Sequence, residues 1–218
     1  MNEQLQSDFD KTIRNLDISD KEIQFKKSSL NKFIGSGFPN RKQEDWKFLD
    51  ISQIIKKKIS DLSFFNDYSL PNEIDPSIFV DGLEHNKIIF INGRIEKIDF
   101  NYEDQNKIEI SDETKRDISF DYVNSLIDLN NAFTHKVFKI LVKKNYSLMK
   151  PLIIYHSTND KIKSTNVNLR LDFELGENSC LRLIDFFTDN KAKNFINIFY
   201  NFILEKDSIL KNYKIDKF

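Results

Sequence analysis

Two stretches in the second half of the chain alternate apolar and polar residues along their whole length. In Val167 to Phe173 and again in Ile196 to Leu204, every second residue is apolar. A period of two places the apolar residues on one face of an extended strand, so this pattern predicts strands with one buried face. The residues expected on the outward, solvated face of the first strand are Asn168, Arg170, Asp172 and Glu174.

These strands belong to a repeat. FELGENSCLRL (173–183) and FILEKDSILKN (202–212) superpose on a shift of 29 residues, with a strand, a polar turn, a serine and a strand in both. ILVKKNYSLM (140–149) fits the first loosely on a shift of 33. Such a period suits a coil of stacked strands in which each turn pairs only with its neighbours. We therefore predict a β-helix or stacked-strand solenoid, with a sandwich or a jelly roll left open.

The first sixty residues carry a helical pattern instead. Apolar residues recur at helical spacing over 3–16 and over 23–34, and Ser19 with Glu22 forms a capping box between the two stretches. Gly35 is expected to end the second helix, since glycine tolerates the backbone conformation of a helix stop. Two amphipathic helices should therefore pair at the start of the chain.

Residues 37–54, GFPNRKQEDWKFLDISQI, hold the only tryptophan and a compact set of opposed charges. Arg41 to Phe48 suits a short helix, and Trp46 is expected to be buried as a structural anchor. Apolar residues then continue a helical face as far as Lys56 to Lys58, a charge run that is favourable at a helix C-terminus.

The stretch that follows reads as a connector with a hairpin and a short helix. Asn92-Gly93 stands between two apolar runs, which is the strongest short-range hairpin signal in a sequence. Ile108 and Ile110 indicate another strand, and 122–133 has the pattern of a short helix. We divide the chain into an N-terminal helical region (1–60), the connector (61–134) and the start of the repeating-strand core (135–218).

Composition excludes several classes of function. Lys and Arg number 33 against 34 Asp and Glu, so the net charge of −1 disfavours nucleic acid as a partner. The start MNEQLQSDFD lacks the basic and apolar regions of a signal peptide, and no apolar run could span a bilayer, which favours a cytoplasmic protein without a membrane partner. One cysteine and three scattered histidines supply no metal-ligand spacing.

Three short phrases resemble the SufB/SufD family of iron–sulfur cluster assembly proteins, and SufD members most closely. They are the stretch from Pro39 to Phe48, the stretch from Phe90 to Arg94, and LNNAF at 129–133. We expect structural roles for the residues that carry the resemblance. They are Pro39, Arg41, Lys42, Glu44, Trp46, Lys47, Asn92, Gly93, Asn130, Ala132 and Phe133.

The resemblance implies an α+β chain in which an N-terminal helical region precedes a right-handed parallel β-helix. It implies that this chain is a non-catalytic component of a cluster assembly complex, where it is a partner of SufB and of the ATPase SufC. The chain itself is therefore not expected to be an enzyme. No catalytic, cofactor-binding or metal-binding residue is expected here. The iron–sulfur cluster, with reduced flavin as a candidate, belongs to the complex, and ATP to the SufC partner.

In that family the segments that face SufB and SufC lie in a C-terminal portion, which is absent here. Because the chain stops at Phe218 without capping helices, we expect the β-helix to be truncated at its C-terminal end. An uncovered strand edge is a template for pairing with another chain, so residues 195–215 are expected to drive self-association.

Three alternatives remain open. A SufB-like scaffold would share the core but tends to bring several cysteines, against one here. A β-helix carbohydrate-active enzyme would need clustered carboxylates, for which Asp172 with Glu174 is the only close outward pair on a strand. An oligomerising scaffold without a cluster role would show the same sequence features.

Overall fold

A computed structural model describes residues 2–59, 61–69, 72–113, 124–188 and 193–217 of the chain. The α-helices in these ranges are α1 (Asn2–Arg14), α2 (Asp20–Ser36), α3 (Ile51–Lys58) and α4 (Ser125–Phe133). Three short 3-10 helices span Glu44–Trp46, Pro76–Ile78 and Gln105–Lys107. None of the helices described is both long and apolar enough to cross a membrane.

The helix boundaries follow from local capping. The Ser19 hydroxyl oxygen accepts a hydrogen bond from the Glu22 backbone N–H at 3.3 Å, which confirms the predicted start of α2. The predicted end at Gly35 is two residues early. The helix stops at Gly37, whose φ of +69° is accessible to glycine and whose N–H donates to the Phe33 carbonyl at 2.6 Å.

The apolar stripes of the four helices meet in one cluster. Its buried members are Leu5, Phe9, Leu30, Phe33, Phe38, Ile55, Leu62, Phe64, Leu129, Ala132 and Phe133. Beside it lies Lys26 on α2, which is 1% exposed and whose Nζ donates to the Thr134 carbonyl at 2.7 Å. A cation at the C-terminus of α4 satisfies carbonyls that the helix leaves unpaired, so Lys26 joins α2 to α4.

Nine strands are described: β1 (Asn86–Ile91), β2 (Arg94–Asp99), β3 (Ile108–Glu113), β4 (Val137–Val142), β5 (Leu152–Ser157), β6 (Asn166–Leu175), β7 (Cys180–Phe187), β8 (Phe195–Leu204) and β9 (Ile209–Asp216). They form a five-stranded sheet in the order β2-β1-β5-β7-β9 and a four-stranded sheet in the order β3-β4-β6-β8. Apolar side chains of both sheets share the largest core cluster of the described chain.

The fold class expected from the sequence, an α+β chain with a right-handed parallel β-helix, is wrong. Both sheets are mixed, because β1 pairs antiparallel with β2 and β3 pairs antiparallel with β4, while the remaining pairs are parallel. The Asn92-Gly93 turn reverses the chain after β1, and a two-residue turn necessarily makes an antiparallel pair. With its four described helices the chain is an α/β fold built on two mixed sheets.

The spacing of the sequence repeat is the offset between paired strands. Phe173 lies opposite Phe202 and Cys180 opposite Ile209, so both pairs are 29 residues apart. Ile140 lies opposite Phe173, which gives the looser shift of 33. From β4 to β9, consecutive strands alternate between the two sheets, and each strand from β4 to β7 pairs in parallel with the strand after next.

Helix α4 covers part of the outer face of the four-stranded sheet, which overturns another expectation. Asn168 and Arg170 were predicted to face solvent, yet both are buried. The Asn168 Oδ1 accepts from Asn197, which also donates to the Leu126 carbonyl of α4 at 2.9 Å. Arg170 lies 5.1 Å from the centre of the Phe199 ring and forms an ion pair with Asp172 at 2.9 Å. The polar face of this strand is therefore an interface between layers.

Candidate functional site

The first family phrase forms a surface turn between α2 and α3. Pro39 is buried, and its carbonyl accepts from the Ile51 N–H at 3.1 Å. The charged members of the phrase, which are Arg41, Lys42, Glu44 and Lys47, are exposed, and Lys47 pairs with Glu44 at 2.8 Å. The helix predicted over 41–48 is reduced to the 3-10 turn Glu44–Trp46.

Trp46 is half-buried and belongs to none of the described core clusters. The expected structural anchor is therefore partly buried and lies outside these clusters. The cause is local: the backbone bond between Ile51 and Pro39 closes the segment into a surface turn, and Asp50 starts α3 by accepting from the Gln53 N–H at 2.9 Å. Phe33 and Phe38 of the neighbouring segments fill the core instead.

The second phrase supplies the turn of the β1–β2 hairpin. Asn92 and Gly93 have φ values of +54° and +80°, as a two-residue turn between antiparallel strands requires. The Asn92 amide donates to Asn159 Oδ1 at 2.8 Å and to Asn72 Oδ1 at 3.0 Å. A methyl group at Gly93 would lie 2.8 Å from Val167 Cγ1, so only glycine fits against β6. Both residues are structural.

The third phrase attaches α4 to the four-stranded sheet. Asn130 is fully buried, and its Nδ2 donates to the Leu169 carbonyl of β6 at 3.0 Å and to the Asn197 carbonyl of β8 at 2.9 Å. Its Oδ1 accepts from the Thr134 hydroxyl at 2.7 Å. Ala132 and Phe133 fill the helical core. Residues of the second and third phrases thus both contact β6, whereas the first phrase forms a separate surface turn.

The most exposed apolar strands of the described chain are β8 and β9. Each is the last strand of its sheet, and each has one paired neighbour among the described strands. We call the two together the β8–β9 edge. Its exposed apolar side chains, each between 44% and 56% accessible, are Ile203, Leu204, Ile209, Tyr213 and Ile215. A free edge of this kind offers backbone N–H and C=O groups to an added strand.

Part of this exposure arises because the segment that covers the outer face of the five-stranded sheet does not cover β9. Residues 74–80 pack over β1, β5 and β7, where they bury Ile153, Tyr155 and Phe186. Ile215 lies next to Phe186 in register and continues the same apolar row, yet it is 44% exposed. The cover thus stops one strand short of the sheet, and β9 presents apolar surface that the described chain leaves uncovered.

Aromatic side chains line the interior of the sheet pair at this edge. Phe202 stacks on Phe173 with ring centres 5.3 Å apart and on Tyr200 with ring centres 5.8 Å apart. Tyr200 and Phe202 are only half-buried, unlike Phe173, because β8 has no described neighbour on its far side. The edge therefore combines unpaired backbone groups with partly exposed apolar side chains, which favours association with another chain.

A buried polar cluster lies beneath the edge. His156 Nε2 is 3.1 Å from Asp185 Oδ1 and 3.1 Å from the Tyr200 hydroxyl, and that hydroxyl donates to the Asp185 carboxylate. The imidazole lies between Phe90 and Phe187, with ring centres 5.8 and 4.6 Å away. Burial lowers the pKa of His156, although Asp185 opposes this, and burial together with Asp185 raises the pKa of Tyr200. These shifts favour a neutral imidazole and a protonated phenol beside the Asp185 side chain.

Sequence reasoning missed this cluster, because its members lie on three strands that are far apart in the chain. One signal was available: Asp185 follows Leu181 and Leu183 at a spacing of two, which places a carboxylate on the inward face of β7. A charge at a core position needs partners. His156 and Tyr200 are those partners, and strands β5, β7 and β8 supply the three side chains of the cluster.

The remaining candidate groups are engaged in structural contacts. Asp172 is paired with Arg170, and Glu174 is paired with Lys139 at 2.6 Å, so the outward carboxylates of β6 are neutralised. His85 Nε2 lies 2.8 Å from the Tyr155 hydroxyl. Cys180 is a free, half-exposed thiol. Within the described ranges, no three His, Cys, Asp or Glu side chains are grouped so that they could hold a metal ion.

A cavity of about 230 Å³ opens between the hairpin turn and the start of β4. Arg94 and Lys136 line it, but Arg94 is bonded to Glu96 at 2.7 Å and Lys136 is paired with Asp112. The Tyr68 ring lies tilted against His135 with ring centres 4.9 Å apart, and burial raises the pKa of Tyr68 to about 12. Arg94 and Lys136 are thus paired within the protein, so the cavity offers a ligand fewer free charged groups. We therefore regard the β8–β9 edge as the better candidate for recognition.

No protein-family profile matches this chain. No curated protein sequence matches it either.

Proposed function

We propose that the chain is a non-catalytic, SufD-like component of a cytoplasmic iron–sulfur cluster assembly complex, and that it acts by binding SufB-like and SufC-like proteins. The three phrases that suggest this family occur in one chain and in the family's order. Their residues serve a turn, a hairpin and a helix attachment, and none of them supplies a reactive group.

The observation that carries the proposal is the β8–β9 edge. A component that works through contacts needs a surface where binding of another polypeptide is favourable. Two consecutive edge strands with exposed apolar side chains provide such a surface. In the family, the main contacts with SufB and SufC come from a C-terminal portion. We assign the β8–β9 edge to strand pairing within the same assembly.

In this proposal the iron–sulfur cluster is the cargo of the complex, and ATP is bound by the SufC-like partner. The described residues of this chain do not fit a cluster site, since they include one cysteine and no metal-ligand group. We therefore derive no chemical step through the cluster or through flavin. What this chain contributes is a packed pair of sheets with a surface for association.

The proposal is tested by mixing the 1–218 chain with the purified SufB-like and SufC-like proteins of the same organism. We expect a complex that co-elutes in gel filtration and that is weakened by Ile209→Lys, which places a charge on the free edge. Leu83→Lys is the matched control, because Leu83 is a similarly exposed apolar residue outside the edge. Separate elution of all three wild-type proteins would reject the proposal.

An oligomerising scaffold without a cluster role is the second candidate, because the same edge supports it. The two are distinguished by specificity. A scaffold of that kind would self-associate through the edge and ignore the SufB-like and SufC-like proteins, whereas a SufD-like component binds them in preference to itself.

A further inference from the structure

Strand β8 differs from the other edge strands because it carries no charged residue. The edge strands of the two described sheets are β2, β3, β8 and β9. Each of β2, β3 and β9 includes at least three charged side chains, whereas none of the ten residues of β8 is charged. Charged side chains on an edge strand oppose pairing with another chain. Of the four edges, β8 is therefore the least protected against an added strand.

The open side of β8 offers a regular row of backbone groups. The Phe195 N–H donates to the Thr165 carbonyl at 2.9 Å, at the start of the pairing with β6. The Glu205 N–H donates to the Leu175 carbonyl at 3.0 Å, at its end. The odd-numbered residues thus direct their backbone groups to β6. Because successive residues of a strand point these groups to opposite sides, the even-numbered residues of 196–204 point theirs to the open side.

The sequence of β8 has nearly the same pattern in both directions from Phe199. In FINIFYNFI (195–203), Asn197 and Asn201 stand at equal distances from Phe199, and the remaining positions are apolar or aromatic. Such a strand can pair antiparallel with a second copy of itself across a two-fold axis at Phe199, with Asn197 opposite the other copy's Asn201. A shift by two residues in either direction would place Asn197 opposite Phe199 or Ile203 instead.

The symmetric register also matches backbone groups and charges. It places Ile198 opposite Tyr200 of the second copy, and both residues are even-numbered, so their open backbone groups can exchange hydrogen bonds. It places Lys193 opposite Glu205 of the second copy at both ends of the paired strands. Both side chains are exposed, and their charges are opposite. The register therefore combines matched side chains along the strand with complementary charges at its ends.

We propose that the chain forms a two-fold symmetric dimer in which β8 pairs antiparallel with β8 of a second copy. The four-stranded sheets of the two molecules then join into one continuous sheet. Phe202 of β8 and Leu210 of β9 pack on the same core cluster, so both edge strands lie at the same end of the sheet pair, and the two copies of β9 face each other as well. The inference goes beyond the proposed function, because it concerns this chain alone. An assembly protein that pairs with β8 displaces the second copy.

Cysteine cross-linking tests the register. In a Cys180→Ser background, Phe199→Cys places a single thiol on the two-fold axis. Residues directly opposite in a non-hydrogen-bonded antiparallel pair have Cα atoms about 4.5 Å apart, which is within the range of a disulfide. Oxidation should therefore link the Phe199→Cys chain into a dimer. Ile203→Cys is the matched control, since it lies on the same face of β8 but its two copies would be about 26 Å apart.

A charge exchange tests the same register without altering the apolar residues. Lys193→Glu sets two carboxylates opposite each other at both ends of the pair, so it should raise the dissociation constant of the dimer at least about threefold. Glu205→Lys should have the same effect, because it sets two cations opposite each other. The double variant should restore the wild-type value. Sedimentation equilibrium measures all four chains, and unchanged melting temperatures show that the variants are folded.

The outcomes separate this inference from the proposed function. Disulfide dimers of Phe199→Cys but not of Ile203→Cys, with affinity restored in the double charge variant, would support the two-fold pairing. Association without the Phe199→Cys disulfide, equal linking of Ile203→Cys, or a wild-type chain that stays monomeric would overturn it. A chain that fails these tests but binds the SufB-like and SufC-like proteins leaves the proposed function standing. A linked dimer that binds neither protein rejects the proposed function alone.

Discussion

Removal of the Asn130 side chain should loosen α4 from the four-stranded sheet. Asn130 is fully buried and makes three hydrogen bonds through its amide, two of them to carbonyls on neighbouring strands. At about 1 kcal/mol for each net hydrogen bond, Asn130→Ala should cost roughly 3 kcal/mol. For a chain of this size that corresponds to a fall of about 9 °C in melting temperature.

Asn130→Asp is the sharper variant, because it keeps the shape and the acceptor but replaces the two donated bonds by a carboxylate that faces two carbonyls. It should destabilise the protein more than Asn130→Ala. Thermal unfolding followed by circular dichroism measures both. Asn31→Ala on the exposed face of α2 is the matched control and should shift the melting temperature little. If Asn130→Ala shifts it no more than Asn31→Ala does, the role assigned to this amide is refuted.

Three further predictions follow from burial, titration and ligand chemistry. Trp46→Ala should cost about 1 kcal/mol, far less than Phe33→Ala at roughly 4 kcal/mol, because Phe33 is in the core and Trp46 is half-buried; urea unfolding compares them. Burial opposes ionisation of Glu103, but hydrogen bonds from Lys150, Asn86, Met149 and Tyr146 outweigh it and hold its pKa below the ordinary 4.5. The stability that ionised Glu103 contributes is therefore present above about pH 4.5 and is lost as the pH falls below it. Glu103→Gln should flatten the loss of melting temperature on acidification. An unchanged slope would assign that loss to other carboxyl groups. The isolated monomer should retain no visible absorbance after anaerobic reconstitution with iron and sulfide, and stoichiometric iron in the monomer would make Cys180 a ligand candidate.

Local signals in the sequence predicted most of the elements. The capping box at Ser19, the Asn92-Gly93 turn and the alternation in β6 and β8 each act over a few neighbouring residues, and the structure places α2, the hairpin and both strands there. The 29-residue shift also held, because repeated strands that pair with one another keep their spacing. Such features depend on backbone preferences that a short stretch carries by itself.

What failed depends on contacts between distant parts of the chain. The hairpin signal after β1 predicts its antiparallel partner but not its parallel pairing with β5, and nothing in the local pattern of β3 states which strand it joins, so the mixed sheets were not foreseen. Arg170 reads as an outward charge until another layer covers it, and Trp46 reads as a core residue until the surface turn that holds it is known. The His156–Asp185–Tyr200 cluster needs three strands to be placed before it exists.

Light scattering on the 1–218 chain measures whether the β8–β9 edge drives association. The wild type should show a mass above that of the monomer which rises with concentration. Ile209→Lys should return it to the monomer mass, whereas Leu83→Lys should not. A wild-type chain that stays monomeric at every concentration, or an Ile209→Lys variant that associates as strongly as the wild type, would contradict the account.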